Sequence, residues 1–564
     1  MTPNECLSYW LIEELVAQGI TQFCISPGSR STPLTVAAAR HPRANTQIFL
    51  DERAAAYFAL GWARATDQAA VLICTSGTAG ANYYPAIIEA SVEHLPLLAI
   101  TADRPPELQQ TGANQTVDQN RLFGSHTRWF CDPGCPDQTL QENTVKSWAA
   151  QAVLRSAYPD PGPVHLNIPF REPFLSNEPP TLPKVSSPDF QLSIPRQKLA
   201  KGDLQALRPI LQADRGLVTL GELPVRAHHS VGIFLEKLNW PVFADTTSGF
   251  RFGHLTQRID LADQLLLQDH WRKAEPEVWI HLGNQYVSKR WLQWWQDRNS
   301  TRKIVITNHS ERQDPSQCPH WRLQLDWEEL EEILPLTGAS PSRIQWLEQW
   351  KLGSQALEEQ MAQWWDQTER FGEVSIVREL IRQMPIEHAL FVGNSLPIRE
   401  VDMLSTTRNA PLRVAANRGA SGIDGQIATA CGWAMGHRQS TTILLGDLSA
   451  IHDLNSLLLF RESPVPMTLI ILNNDGGGIF SMLPISKQKD VFERFFGTPH
   501  GCEFSKVAAM FDLSYFQPEN LKQLKKSLQE AWQSNRSTLI EVKTDREQTV
   551  AQLLAWQDHV KNHA

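Results

Sequence analysis

The chain has 564 residues, 42% hydrophobic and 20% charged, an ordinary folded composition that excludes disordered, collagen-like and low-complexity readings. Lys and Arg number 52 against 61 Asp and Glu, so the net charge is −9, and a mildly acidic chain gives no reason to expect a nucleic-acid or membrane-surface partner. The 8 cysteines are too few and scattered for a disulfide scaffold, and the close pair Cys131 and Cys135 lacks the further ligands that zinc would need.

The opening MTPNECLSYWLIEELVAQG carries acids and no apolar core, so it is not expected to be a signal peptide. No stretch approaches the apolar length of a membrane span, and a cytoplasmic enzyme is expected. Residues 1–180 alternate short apolar strands with helices. ITQFCI ends in SPGSRS, TQIFL in the acids Asp51 and Glu52, AAVLICT in SGTAG, PLLAITAD in RPP, and VHLNI closes the series. Such alternation predicts a parallel sheet covered on both faces, with ligands at the carboxyl ends of its strands. Residues 171–200, rich in Pro and Ser, read as a linker. GLVTLGEL, WPVFADT, EVWIHLG, KIVIT and RLQLD predict a second sheet over 196–340. The tryptophans around and after it (Trp291, Trp294, Trp295, Trp346, Trp350, Trp364 and Trp365) are expected to pack between amphipathic helices. ALFVGNS, PLRVAAN, TTILLGD, PMTLIILNN and STLIEVKTD predict a third sheet over 370–564. The fold class is therefore α/β, three doubly wound parallel-sheet domains.

Several motifs are missing: the P-loop, H-E-x-x-H, G-x-G-x-x-G after a strand, and G-x-S-x-G. The strongest signal lies in the third domain. One strand ends in Gly446-Asp447, and 27 residues later the next ends in Asn473-Asn474, followed by Asp475 and a glycine run from Gly476. Strand ends separated by one helix lie side by side, so Asp447 and Asn474 share one edge. A carboxylate, an amide oxygen and a carbonyl freed by a Gly turn suit Mg²⁺, and Mn²⁺ suits the same oxygen shell. Helical SAIHDLNSLLLF would turn its first amides toward a phosphate. A plainer reading keeps Asp447 as a helix cap.

This GD…NN pattern resembles the metal and diphosphate motif of the thiamine-diphosphate-dependent enzymes, with Leu448 where glycine is usual. The resemblance covers nearly the whole chain, in the order pyrimidine domain, central domain, diphosphate domain. It implies thiamine diphosphate as cofactor and Asp447, Asn474 and Gly476 as metal ligands. It also implies that Glu52 activates the cofactor by bonding its aminopyrimidine from an apolar pocket. Taken alone, Glu52 is a first-turn acid favoured by the helix dipole.

Arginines are unusually frequent on the expected ligand-edge loops: Arg30, Arg104, Arg399 and Arg418, with Lys289 and Arg290 in the middle domain. Several converging on one edge call for an anionic substrate. The set SPGSRSTPL, TADRP, GNSLPIR, NRGASGIDG, GDLSAIHDLNSL and NNDGGGIFSMLP is similar to one branch of the family, a C–C bond-forming transferase of menaquinone or phylloquinone biosynthesis. That branch decarboxylates 2-oxoglutarate and adds the succinyl carbanion to isochorismate in a 1,4 fashion. The resemblance implies that Glu52, Gln115, Arg399 and Arg418 take part in catalysis. Ser395, Leu396, Ile423, Leu448, Ser449 and Ile479 would hold the cofactor, Ile423 as an aliphatic wedge. Ser29, Arg30, Arg104, Asn114, Gln115, Lys289 (or its neighbour Arg290), Ser395, Arg399, Arg418, Phe480 and Leu483 would line the substrate pocket. It further implies a homo-oligomer, dimer or tetramer, with active sites at subunit interfaces. Two other readings stay open: an acetolactate synthase-like or 2-oxoacid decarboxylase enzyme acting on pyruvate, and an inert cofactor-binding scaffold.

Overall fold

The structure, a computed structural model, describes residues 1–176, 190–315, 317, 320–334, 338–366, 371–405 and 408–562. Residues 177–189 of the Pro/Ser-rich stretch expected to be a linker, the expected domain boundaries at 180 and 370, and Cys318 lie outside the described residues. Among the described residues, no helix is long and apolar enough to cross a membrane.

Three parallel sheets form. The first takes β1 (Gln22–Ile25), β2 (Asn45–Ile48), β3 (Ala70–Cys74), β4 (Leu97–Asp103), β5 (Trp129–Cys131) and β6 (Pro163–Pro169) in the order β2-β1-β3-β4-β6-β5. β3, β4 and β6 are buried along their whole length. That explains their unbroken apolar runs, because helices cover both faces of a parallel sheet. The second sheet takes β7 (Gly216–Leu220), β8 (Val242–Ala244), β9 (Val278–Leu282), β10 (Arg302–Thr307) and β11 (Trp321–Gln324) in the order β11-β10-β9-β7-β8. The third takes β12 (Ala389–Val392), β13 (Val414–Ala415), β14 (Thr441–Gly446), β15 (Met467–Asn473), β16 (Ser514–Phe516) and β17 (Thr538–Lys543) in the order β13-β12-β14-β15-β17-β16. The first and third sheets thus follow one path. Their three-residue edge strands β5 and β16 are not among the strands the sequence predicts.

The chain divides into two compact units. One comprises Met1–Pro195, Asn417–Arg438 and Asn455–Leu459. In it the helices Glu52–Thr66 and Gln426–His437 cross at glycines: a Cβ on Gly61 would lie 2.0 Å from the Thr429 carbonyl oxygen, and one on Gly432 1.9 Å from that of Phe58. No other residue permits so close a crossing. The other unit holds the second and third sheets. Its tryptophans form an aromatic core, as expected: Trp350 is fully buried, its ring centroid 4.4 Å from Trp271 and 5.3 Å from Phe243. Indole N–H groups find acceptors at its margins, Trp346 on the Gly216 carbonyl at 2.9 Å and Trp556 on Gln264 at 3.0 Å.

Candidate active site

In the unit that holds the third sheet, β14 and β15 pair in register up to Gly446 opposite Leu472, so Asp447 and Asn474 emerge on neighbouring strand ends. Asp447 opens a short helix, Asp447–His452, and is 1% exposed. Its Oδ1 accepts from the Leu448 N–H at 2.7 Å and its Oδ2 from the Gly476 N–H at 2.9 Å. His500 Nε2 faces the same Oδ2 at 3.1 Å. The Cys502 N–H donates to His500 Nδ1 at 2.9 Å. Burial pushes the Asp447 carboxyl up; His500 and the two amides pull it back. Asp475, at φ 56°, turns its Oδ1 onto the N–H groups of His500 and Gly501 at 2.9 and 2.8 Å. Gly476, at φ 138°, could not carry a Cβ, which would lie 1.9 Å from the Gly497 carbonyl oxygen.

Asn474 donates through Nδ2 to Glu373 Oε1 at 2.8 Å, while its Oδ1 is buried with no hydrogen-bond partner. A buried amide oxygen without a donor wants a cation or a donor supplied from outside. The Gly476 carbonyl is not freed by the turn as expected, since it accepts the Gly478 N–H at 3.0 Å, but its second lone pair, the carboxylate and the free amide oxygen fit a hard divalent ion. Glu373 is fully buried beside Glu400; burial pushes both carboxyls up, Glu400 well above its usual range because Glu373 adds its charge.

The remaining expected residues of this unit are spread over several loops. Ser395, at φ 72°, is a non-glycine residue in the left-handed region, placed directly before the helix Leu396–Leu404. Its carbonyl accepts from the Arg399 guanidinium. Leu396 and Ser449 are buried, Leu448 and Ile479 half-buried. Phe480 packs on Phe496 at 5.6 Å, and Leu483 is exposed. Lys289 is exposed at the rim of a cavity of about 200 Å³ lined by His281, Tyr286 and Asp314, whereas Arg290 pairs with Asp263.

The first-sheet unit holds the other half of the expected set. Glu52 is the first residue of its helix and is half-buried; burial and the charge of Asp51 raise its carboxyl. Asp51 caps the helix through the Arg53 N–H at 2.8 Å and also binds Asn455. At the ends of β3 and β4, Arg104 donates to Ser76 Oγ at 2.9 Å and to the Asn114 carbonyl at 3.3 Å. Gln115 donates to the Ser76 carbonyl at 2.9 Å. Arg30 is buried, bonds the Phe170 carbonyl at 2.9 Å and stacks on Phe174. Burial and the nearby Arg104 charge lower its guanidinium. Ser29, Asn114 and Gln115 are exposed. Arg418 and Ile423 are half-buried on a loop fixed by Glu89, whose carboxylate accepts the N–H groups of Gly419 and Ala420 at 2.8 and 2.6 Å. Tyr57 fixes the same loop through Asp424 at 2.6 Å.

Sequence reasoning did not find Ser76, Glu89, Glu373 or His500. Each bonds a partner distant in sequence, and only Ser76, within SGTAG, lies in a stretch placed at a strand end.

Three family models match the chain. Residues 7–122 match "Thiamine pyrophosphate enzyme, N-terminal TPP binding domain", residues 197–392 "Middle domain of thiamine pyrophosphate", and residues 402–542 "Thiamine pyrophosphate enzyme, C-terminal TPP binding domain". Among curated proteins, the chain is 40% identical to 2-succinyl-5-enolpyruvyl-6-hydroxy-3-cyclohexene-1-carboxylate synthase of Chlorobium phaeobacteroides, over 98% of this chain and 97% of that one. It is 39% identical to the synthase of that name from Rubrobacter xylanophilus, over 96% of each chain. The identity to the one from Bacillus velezensis is 36%, over 95% and 94%.

Proposed function

We propose, for a chain that belongs to the thiamine pyrophosphate enzymes and among them to the 2-succinyl-5-enolpyruvyl-6-hydroxy-3-cyclohexene-1-carboxylate synthases, that it decarboxylates 2-oxoglutarate and joins the succinyl fragment to isochorismate in menaquinone or phylloquinone biosynthesis. The observation that carries this reading is the pair of strand ends at β14 and β15. There a buried carboxylate and an unpartnered amide oxygen stand together. We read Asp447, Asn474 and the Gly476 carbonyl as the ligands of Mg²⁺ or Mn²⁺, and Ser395, Leu396, Leu448, Ser449 and Ile479 as the cradle of the diphosphate and thiazolium.

When bound, thiamine diphosphate supplies the carbon nucleophile and the electron sink. This chain's residues do the rest. Glu52, with its carboxyl raised by burial, holds or shares a proton at the aminopyrimidine nitrogen. Ile423 would pack against the cofactor as an aliphatic support. Arg30, Arg104, Lys289, Arg399 and Arg418, with Ser29, Asn114 and Gln115, meet the four carboxylates of the two dicarboxylate substrates. Phe480 and Leu483 wall the ring of isochorismate. The reading includes a cytoplasmic homo-oligomer whose active sites draw on two subunits. The abundance of Arg favours dicarboxylates over pyruvate.

The test is turnover of purified protein with thiamine diphosphate, Mg²⁺, 2-oxoglutarate and isochorismate, followed by isochorismate loss and product mass. Loss that needs every component is expected. CO2 release from pyruvate instead would move the chain to the decarboxylase or acetolactate branch, and bound cofactor with no turnover would favour the inert scaffold. Arg399→Ala and Arg418→Ala should weaken substrate handling and leave cofactor affinity nearly unchanged.

A further inference from the structure

We propose that Glu373 is a positioning residue for the metal site: its carboxylate grips the Asn474 amide by the NH2 end, so that the amide oxygen faces the cation. The inference rests on reading Asn474 as a metal ligand.

Glu373 opens the helix Glu373–Gln383, lies 101 residues before Asn474 and is 1% exposed. Its Oε1 accepts two bonds, from Asn474 Nδ2 at 2.8 Å and from Thr544 Oγ1 at 2.9 Å. Thr544 directly follows β17, and its own N–H donates to the Asn473 carbonyl at 2.9 Å. One carboxylate oxygen therefore ties the start of a helix to two neighbouring strand ends. The chemistry of that oxygen decides the orientation. The two ends of an asparagine amide are nearly the same shape, and only bonding partners distinguish them. A carboxylate accepts, so it selects the NH2 end. The opposite end, Oδ1, is left buried and without a donor. Among the described residues no Lys or Arg forms a salt bridge with Glu373, and its neighbour Glu400 is a second buried carboxyl. A cation beyond the amide oxygen would complete a carboxylate–amide–metal relay of the kind that orients metal ligands generally.

The experiment measures Mn²⁺ affinity by the electron paramagnetic resonance of free Mn²⁺, with thiamine diphosphate present, so it does not depend on turnover. Glu373→Gln keeps the shape but loses the acceptor-only character, and should weaken Mn²⁺ by about tenfold. Asn474→Asp sets two carboxylates face to face and should weaken it further. The double variant restores a hydrogen bond in the reverse sense, amide of residue 373 to carboxylate of residue 474, and should bind Mn²⁺ several-fold more tightly than Asn474→Asp alone. Two purely structural defects would add rather than compensate. Thr544→Val, which frees the carboxylate without removing it, should cost about threefold. The proposal is overturned if Glu373→Gln and Thr544→Val both stay within twofold of the parent, or if the double variant gains nothing over Asn474→Asp. Asp447→Ala separates the two failures. If it abolishes Mn²⁺ binding while the Glu373 variants are silent, only the role of Glu373 falls. If it leaves affinity unchanged, the metal-site reading falls, and this inference with it.

Discussion

The first and third sheets run through the same order of strands, so the loops after β3 and β4 stand at the same topological addresses as those after β14 and β15. In the first sheet these addresses carry Ser76 and Arg104, joined by a guanidinium-to-hydroxyl bond of 2.9 Å. In the third they carry Asp447 and Asn474, and the bond between the two loops runs from the Gly476 N–H to the Asp447 carboxylate, also at 2.9 Å. One address presents a guanidinium and the other a carboxylate. The supports one strand further out differ too, neutral groups in one and a carboxylate in the other. β6 offers the buried His165 and Asn167 to Thr101, at 2.8 and 2.9 Å. β17 offers Glu541 to Asn473 at 2.6 Å. Strand order decides where a loop emerges, and the few residues at its root decide the sign of the charge it presents.

The contrast breaks most sharply at Glu52, at the end of β2, whose counterpart β13 leads to Asn417 and Arg418. Glu52→Gln should cut turnover by about 10²–10⁴-fold while metal and cofactor affinity, followed by calorimetry, stay near the parent. Normal turnover would leave the β2 end with no chemical role. Next comes the anion side: Arg104→Ala should weaken 2-oxoglutarate by about 100-fold and Arg104→Lys by less, with Mn²⁺ affinity unmoved. A matching loss of Mn²⁺ affinity would show that the two addresses are not chemically distinct. On the cation side, Mg²⁺ and thiamine diphosphate at about 100 times Kd should stabilise the fold by ~2.7 kcal/mol, read as a rise in Tm that Asp447→Ala removes. The mildest effect at any one pH concerns the supports. Burial holds His165 down at about 3. Folded, it stays neutral where the unfolded chain takes up a proton below about pH 6.5. Its contribution is complete above that pH and is lost as pH falls, by at most ~1.4 kcal/mol per unit. His165→Asn should flatten the acid limb of a stability–pH curve; an unchanged slope would place the acid sensitivity elsewhere.

Much of this was legible in the sequence because the chemistry sits at strand ends. Apolar runs such as AVLIC and MTLIILN announce buried parallel strands, and the residue after each run is set at the ligand edge by the fold alone. Asp447, Asn474 and Arg104 were singled out as candidates that way, and Glu52 from the acids that follow TQIFL. β5 and β16 escaped because three half-buried residues at a sheet edge leave neither an apolar run nor an alternation. The braces escaped for a different reason. Glu373 reaches Asn474 across 101 residues, and Glu89 reaches Gly419 across 330, so nothing near either one marks its partner. Lys289 and Arg290 differ only in the structure, where Arg290 pairs with Asp263 and Lys289 is exposed.

The glycine crossing between the helices Glu52–Thr66 and Gln426–His437 bears on how this protein can be dissected. The second helix lies in sequence between two strands of the third sheet, yet it belongs to the compact body of the first. A gene fragment ending at 195 would therefore yield a body with an open seam along Gly61, and its complement would carry a helix with no groove to fill. Shuffling, truncation or fusion within this lineage must treat 417–438 as cargo that travels with the amino-terminal piece, or accept that neither half will keep its shape alone.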